Sequence, residues 1–165
     1  MKKEVYFVKD DVVKVDVSML QEMKQIAAQN LSGKVRYCFH ECEEAAMQEM
    51  LFVIPDFGYT RPHMHKDAAE SHVILDGEGY CILFDLQGGI MDYFKVSKNN
   101  YFTYRIQKEI FHMVIPVTKQ MVIYEIREGK FDKNTNIYAE WAPKEYEEKE
   151  IQQYKAQLLQ RIRSC

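Results

Sequence analysis

Four of the five histidines in this 165-residue chain fall at 63, 65, 72 and 112, within a stretch of short apolar runs. His63 and His65 are two residues apart. In an extended segment their side chains leave the same face with Cα atoms roughly 6.6 Å apart. Two imidazoles so placed can converge on one ion, about 2.0–2.1 Å from each nitrogen. Pro62 favours the extended state, because it fixes its own φ and steers Arg61 away from helix. Glu70 follows after a short loop, where a hairpin can fold it back beside the His-x-His pair, and His112 on a separate later strand offers a third nitrogen. Three neutral nitrogen donors and one anionic oxygen suit a divalent Zn, Fe, Ni, Mn or Co ion. Such a set also leaves coordination positions open for water or a substrate, as Lewis-acid chemistry requires.

The elements that must position these residues are mostly strands. MLFVI, HVILDGEGYCILFD, IMDYFKV, YFTYRI, FHMVIPV and MVIYEIREG are short apolar runs separated by turn residues, among them Asp76-Gly77-Glu78-Gly79, Gln87-Gly88-Gly89 and Asn99-Asn100. Many short strands at close spacing indicate an antiparallel sandwich or barrel rather than βαβ units. The DGEG turn predicts a hairpin between its two flanking runs. EVYFVKDDVVKVD reads as one or two further strands. Ser18 opens a helix with Gln21 as its capping-box partner, and Leu20, Met23, Ile26 and Ala27 share one stripe of it. Asn30 to Gly33 stops that helix. The segment KEYEEKEIQQYKAQLLQRIRSC is helical, with acids early and Arg161 and Arg163 late. Its stripe of Ile151, Tyr154, Leu158 and Ile162 suits either the protein's own barrel or a partner chain.

Gly58, His63-x-His65, Glu70, Gly77 and a distant His112 together resemble the motif of the cupin superfamily. That resemblance implies a mostly β double-stranded β-helix, or jelly-roll barrel, flanked here by an N-terminal and a C-terminal helix. It implies one domain over 1–165, with a barrel core at 48–128. It also implies a His63, His65, Glu70 and His112 metal site, the late histidine coming from the opposite side of the barrel. Four residues separate Gly58 from His63 where five are usual, and Gln107 and Glu109 stand where proline and glycine are expected before His112. The second departure predicts a looser turn there. Arg36 and His40, Gln48-Glu49-Met50-Leu51, Tyr59-Thr60-Arg61-Pro62-His63-Met64-His65, Glu70-Ser71-His72, Leu83-Phe84-Asp85, Glu125, Gly129 and Trp141-Ala142-Pro143 resemble, more narrowly, the WbuC family of cupin fold metalloproteins. The match runs from about residue 20 to 145 and implies a setting in O-antigen or capsule synthesis, with a sugar or nucleotide-sugar ligand. Cys38 stands where that family has a polar residue.

Other residues gain roles from this frame. His72 shares the strand parity of Glu70 and should face the interior, as a further ligand, an acid–base group or a satisfied core histidine. Glu125, among apolar neighbours, is a second candidate for proton transfer. Tyr59 and Arg61 share the parity of His63 in an unbroken strand. Arg61 then either clamps a carboxylate or phosphate, or makes a salt bridge at the barrel mouth. The family resemblance adds His40 and Gln48 to the pocket wall.

Hydrophobic residues make up 47% of the chain, charged residues 28% and aromatics 13%, an ordinary globular balance with a bias towards β structure. The net charge is −3 with Lys and Arg scattered, which excludes the clustered basic face of a nucleic-acid binder. The start MKKEVYFVKDD lacks a signal-peptide core and no run is long enough to span a bilayer, so the expected location is the cytoplasm. There Cys38, Cys42, Cys81 and Cys165 are free thiols. The family resemblance implies a metal-binding cupin that acts on or binds a sugar or nucleotide-sugar, an isomerase, epimerase or lyase where it is an enzyme, and a homodimer is expected. The alternatives are a non-catalytic sugar-sensing or scaffold cupin, and, last in order, an iron dioxygenase.

Overall fold

Alternation along the apolar runs sends successive side chains to opposite faces of a strand, and both faces are used here. The structure, a computed structural model, describes residues 4–30 and 33–164. The strands are β1 (Val5–Phe7), β2 (Val35–Cys38), β3 (Met47–Pro55), β4 (His63–His65), β5 (Glu70–Asp76), β6 (Glu78–Phe84), β7 (Ile90–Ser97), β8 (Thr103–Ile106), β9 (Phe111–Pro116), β10 (Gln120–Glu128) and β11 (Asn136–Tyr138); the helices are α1 (Val17–Gln29) and α2 (Glu148–Arg163). A six-stranded sheet runs β1-β2-β3-β10-β5-β8 and a five-stranded sheet β11-β4-β9-β6-β7. Pairing is antiparallel apart from β1 with β2. The helix stop expected at 30–33 lies partly, and Cys165 wholly, outside the described residues.

The sheets face each other as a barrel whose interior has two halves. One is apolar, filled by Phe52, Ile54, Ile74, Cys81, Val96, Ile106, Met121 and Ile123. Two or four residues further along the same inward faces stand His72 and Glu70 of β5, and Glu125 and Arg127 of β10, which make the other half polar. The outward faces are covered by helices. Met23 and Ala27 of α1 pack with Val35, Leu51, Val53 and Val122 of the six-stranded sheet. Ile151, Leu158 and Ile162 of α2 pack with Ile82, Phe84, Phe111, Met113 and Ile115 of the five-stranded one. Of the two surfaces open to the α2 stripe, it therefore meets the chain's own barrel. Among the described residues no helix is long and apolar enough to cross a membrane.

Two local expectations change. The cap of α1 is Asp16 rather than Ser18, its Oδ1 accepting from Met19 N at 2.9 Å and from Ser18 Oγ at 2.6 Å. A carboxylate two residues earlier takes the free backbone donor of the first turn, so Ser18 becomes helical. The runs around Asp76–Gly79 do not form a hairpin. β5 pairs with β10 and β8, whereas β6 pairs with β7 and β9, so the chain crosses from one sheet to the other at Gly77. The turn residues mark the reversal correctly but carry no information about which strand becomes the partner.

Gly77 has φ 80°, and a Cβ there would lie 2.3 Å from Gln120 O. Both the left-handed backbone and the backbone contact oppose any side chain. Gly77→Ala should lower stability by more than about 1 kcal/mol in denaturant unfolding. An unchanged midpoint would mean that the crossing tolerates a β-carbon.

Candidate metal centre

The two sheets contribute different chemistry. His63 and His65 stand on β4 and His112 on β9, and His63 and His112 are direct partners across that strand pair. Glu70 comes from β5 of the opposing sheet. The late histidine is thus the next-strand neighbour of the first, and the carboxylate, rather than His112, spans the barrel. The donors of His63, His65, Glu70 and His112 all lie within 4.8 Å of one another. Glu70 Oε2 is 2.9 Å from His65 Nε2, and Glu70 Oε1 is 2.7 Å from His112 Nε2. His65, Glu70 and His112 are buried, while His63 is partly open.

Hydrogen bonds on the far side of each ring fix which nitrogen faces inward. His63 Nδ1 is 3.0 Å from Arg61 O, and His112 Nδ1 is 2.9 Å from Ile110 O. A backbone carbonyl only accepts, so both Nδ1 atoms carry the proton and both Nε2 atoms present a lone pair to the centre. His65 Nδ1 is held in the same way at 2.7 Å from Asn136 Oδ1. This is the outer hydrogen bonding that orients imidazole ligands at metal sites. His112 Nε2 is buried without a hydrogen-bond partner and lies 2.7 Å from Glu70 Oε1. The donor set and the orphaned nitrogen both fit a divalent cation.

The turn before His112 is not loosened by the missing glycine. Glu109 adopts the left-handed conformation itself, φ 64°, and its N donates to His65 O at 2.7 Å. The β8–β9 turn is therefore tied to β4 at His65, one of the four clustered donors.

Charge on the cluster is set by burial and mutual pairing. Burial, with the charge of His112, holds His63 well below the usual histidine value. Burial alone would lower His112 and raise Glu70. Their attraction outweighs it, so His112 is raised and Glu70, aided by His72, lies well below the ordinary carboxylate range. Without a metal, His112 is the proton that balances Glu70.

His72 does face the interior. Its Nδ1 is 2.8 Å from Tyr104 Oη, and its Nε2, without a hydrogen-bond partner, lies 3.3 Å from Glu70 Oε1 and 3.9 Å from Glu125 Oε2. Glu125, His72 and Tyr104 are register partners across β10, β5 and β8, one row on the inner wall. Arg61 borders the outer cavity, but its Nε and Nη2 donate to Ala139 O, a backbone anchor at the mouth rather than a salt bridge. Tyr59 departs from the expected parity. The strand begins only at His63, and Tyr59 turns outward, donating to Pro143 O at 2.9 Å and packing with α2. His40 and Gln48 line the outer cavity, each with a backbone duty. Glu49 N donates to His40 Nδ1, and Gln48 Nε2 donates to Glu43 O and Ala45 O. Cys38 and Cys81 are buried thiols, pushed up to about 11 and about 12 chiefly by burial, which makes them poor metal ligands at neutral pH.

Sequence reasoning passed over Asn136 and Arg127. Asn136 sits on a three-residue strand with no apolar pattern to announce it. Arg127 shares parity with Glu125, a usable signal. It is buried and reaches Asp67 and Thr135 beside the cluster.

Barrel and flanking helices together make the cupin fold, with the three-histidine, one-glutamate cluster inside it. Residues 15–96 match the family described as "Domain of unknown function (DUF6016)", a span that holds His63, His65 and Glu70 and stops short of His112. No curated protein matches the sequence. Among solved structures, CapF with the inhibitor 3-isopropenyl-tropolone is similar at TM-score 0.54 and 14% identity, covering 65% of this chain and 31% of that chain. Oxalate decarboxylase of Bacillus subtilis, solved in work on its Mn(II) centres, gives TM-score 0.47 at 14% identity over 56% of this chain and 24% of that one. Procruciferin, an 11S globulin of Brassica napus, gives 0.44 at 14% over 51% and 21%. The likeness to CapF speaks for the fold, and this chain spans under a third of that protein's solved length.

Two measurements probe this geometry. Asn136→Ala frees the His65 ring and should weaken metal affinity roughly 10–100-fold in a chelator competition. In metal-free protein, the His112–Glu70 attraction is fully present below the unfolded histidine value of 6.5 and fades as pH rises through the raised folded value. Metal must displace that proton, so affinity should fall with falling pH, and the metal-induced rise in Tm should be larger at pH 8 than at pH 6. A pH-independent increment would contradict the assigned pairing.

Proposed function

We propose that this chain is a metal-dependent cupin that binds, and acts on, a sugar or nucleotide-sugar of surface-polysaccharide synthesis. The observation that carries the metal half is the convergence of His63, His65, Glu70 and His112 with the Nδ1 protons of the histidines tied down behind them. The carbohydrate half rests on the resemblance to the WbuC family. An ion held there would act as a Lewis acid on a carbonyl or hydroxyl oxygen. His72 is the group placed to move a proton. Its Nε2 has no hydrogen-bond partner, its ring is steadied by Tyr104 at Nδ1, and Glu125 lies 3.9 Å from Nε2, where it can balance an imidazolium. An outer cavity of about 270 Å³, bordered by His63 and His65, gives a small ligand access to the cluster.

The burial of His65, Glu70 and His112 also favours a second reading, in which the metal chiefly joins the two sheets and the cavity only senses its ligand. His72→Ala separates the two. On the catalytic reading it keeps the metal and abolishes conversion of nucleotide-sugars followed by NMR, while ligand binding survives.

Elemental analysis of protein purified without added metal should find close to one transition-metal ion per chain. His63→Ala should fall far below that level. A folded wild-type preparation that carries no such metal and takes up none when offered would sink the proposal.

A further inference from the structure

The space over the cluster is divided into the outer cavity and an inner one of about 50 Å³ that holds Glu70, His72 and His112. Arg36, Thr60, His63 and Glu125 line both. Arg36 is on the inward face of β2, in register with Phe52 of β3, and its guanidinium carbon sits 4.5 Å from the centroid of the Phe52 ring. Stacking on an aromatic face fixes the plane of a guanidinium and leaves its edge donors free. Among the described residues no carboxylate forms an ion pair with Arg36. Thr60 Oγ1, on the wall of the same two cavities, is buried with no hydrogen-bond partner. Arg61 is different, because the same carbonyl, Ala139 O, already takes two of its donors.

Arg36 is half-buried at the cavity wall with no carboxylate paired to it among the described residues, and the buried Thr60 hydroxyl without a partner costs stability that a ligand would recover. The group that satisfies both is an oxyanion, since a carboxylate or phosphate edge matches the guanidinium fork and accepts from a hydroxyl. We infer that Arg36 and Thr60 form an oxyanion subsite beside His63, which takes the carboxylate or phosphate of a small molecule whose other end reaches the histidine cluster. The reach to the cluster rests on the metal reading above, whereas the anion contact does not.

The test titrates the protein calorimetrically with inorganic phosphate and, separately, with lactate, at millimolar concentrations, with metal content measured on every sample. Wild type should bind at least one of the two anions. Arg36→Met should weaken that binding roughly tenfold or more, the worth of a charge-assisted contact. Thr60→Val should weaken it several-fold, and both variants should keep the wild-type metal content. Arg36→Lys, which keeps the charge and loses the fork, should fall between wild type and Arg36→Met. Phosphate binding identifies a phosphorylated ligand and lactate binding a sugar acid. Failure of both anions to bind wild type, or undiminished binding by Arg36→Met and Thr60→Val, overturns the subsite. If wild type carries no metal, the metal reading falls, while the same titrations still decide the anion contact.

Discussion

Four electron-pair donors face one another inside a closed β-shell, and three of the four residues are buried. Nothing about such an arrangement is stable by itself. Imidazole lone pairs and a carboxylate repel when water is excluded, and burial penalises the one full negative charge among them. Only positive charge at the centre reconciles them, and the metal-free chain supplies it chiefly as a proton on His112. That proton satisfies one contact of Glu70 and leaves His63 with an inward lone pair. A divalent cation would satisfy all four at once, which is what makes the cluster a candidate metal centre.

The rest of the barrel can be understood as the means of holding that unfavourable set together. Each histidine is pinned from behind by an acceptor, so no ring can flip its proton inward to relieve the repulsion. The nitrogen donors come from one sheet and the oxygen donor from the other, so the sheets cannot slide apart without breaking the cluster. Apolar packing at the far end of the interior sets their separation. Glu109 shows how strongly the turn before His112 is determined. A non-glycine residue accepts a left-handed backbone, worth roughly 1–2 kcal/mol of strain, because its amide closes a bond to His65 O.

How much of this the sequence disclosed follows from what each signal encodes. Spacing of two in an extended segment is a local geometric fact, so the shared face of His63 and His65 was legible. Strand parity likewise placed Glu70 and His72 on the interior wall. Pairing was not legible, because a turn residue such as Gly77 records that the chain bends and is silent about which strand it then meets. The hairpin expectation and the expected opposite-side position of His112 both failed on that point. Tyr59 failed because parity holds only while a strand continues, and the chain before His63 is irregular. Asn136, 71 residues from its histidine partner, left no mark that any local pattern could carry.

The same separation of local from distant information explains α2. Its apolar stripe and end charges were plain, yet its contribution to the site lies in a residue that pattern reading would assign to solvent. Lys155 is buried, and its ammonium donates to Asp56 O and to Gly58 O, the latter at 2.9 Å. Those carbonyls open the segment that leads through Thr60 and Arg61 to His63. Burial pulls the lysine below its usual value, yet two carbonyl acceptors and the nearby Asp56 charge favour the ammonium. A helix on the outer wall thus fixes the approach of the chain to the inner one. Nearer to β4 the same segment is tied by Arg61 to Ala139 O and by Ala139 N to Pro62 O, so the helix clamp is the first of several ties that bring the chain to the first two nitrogens.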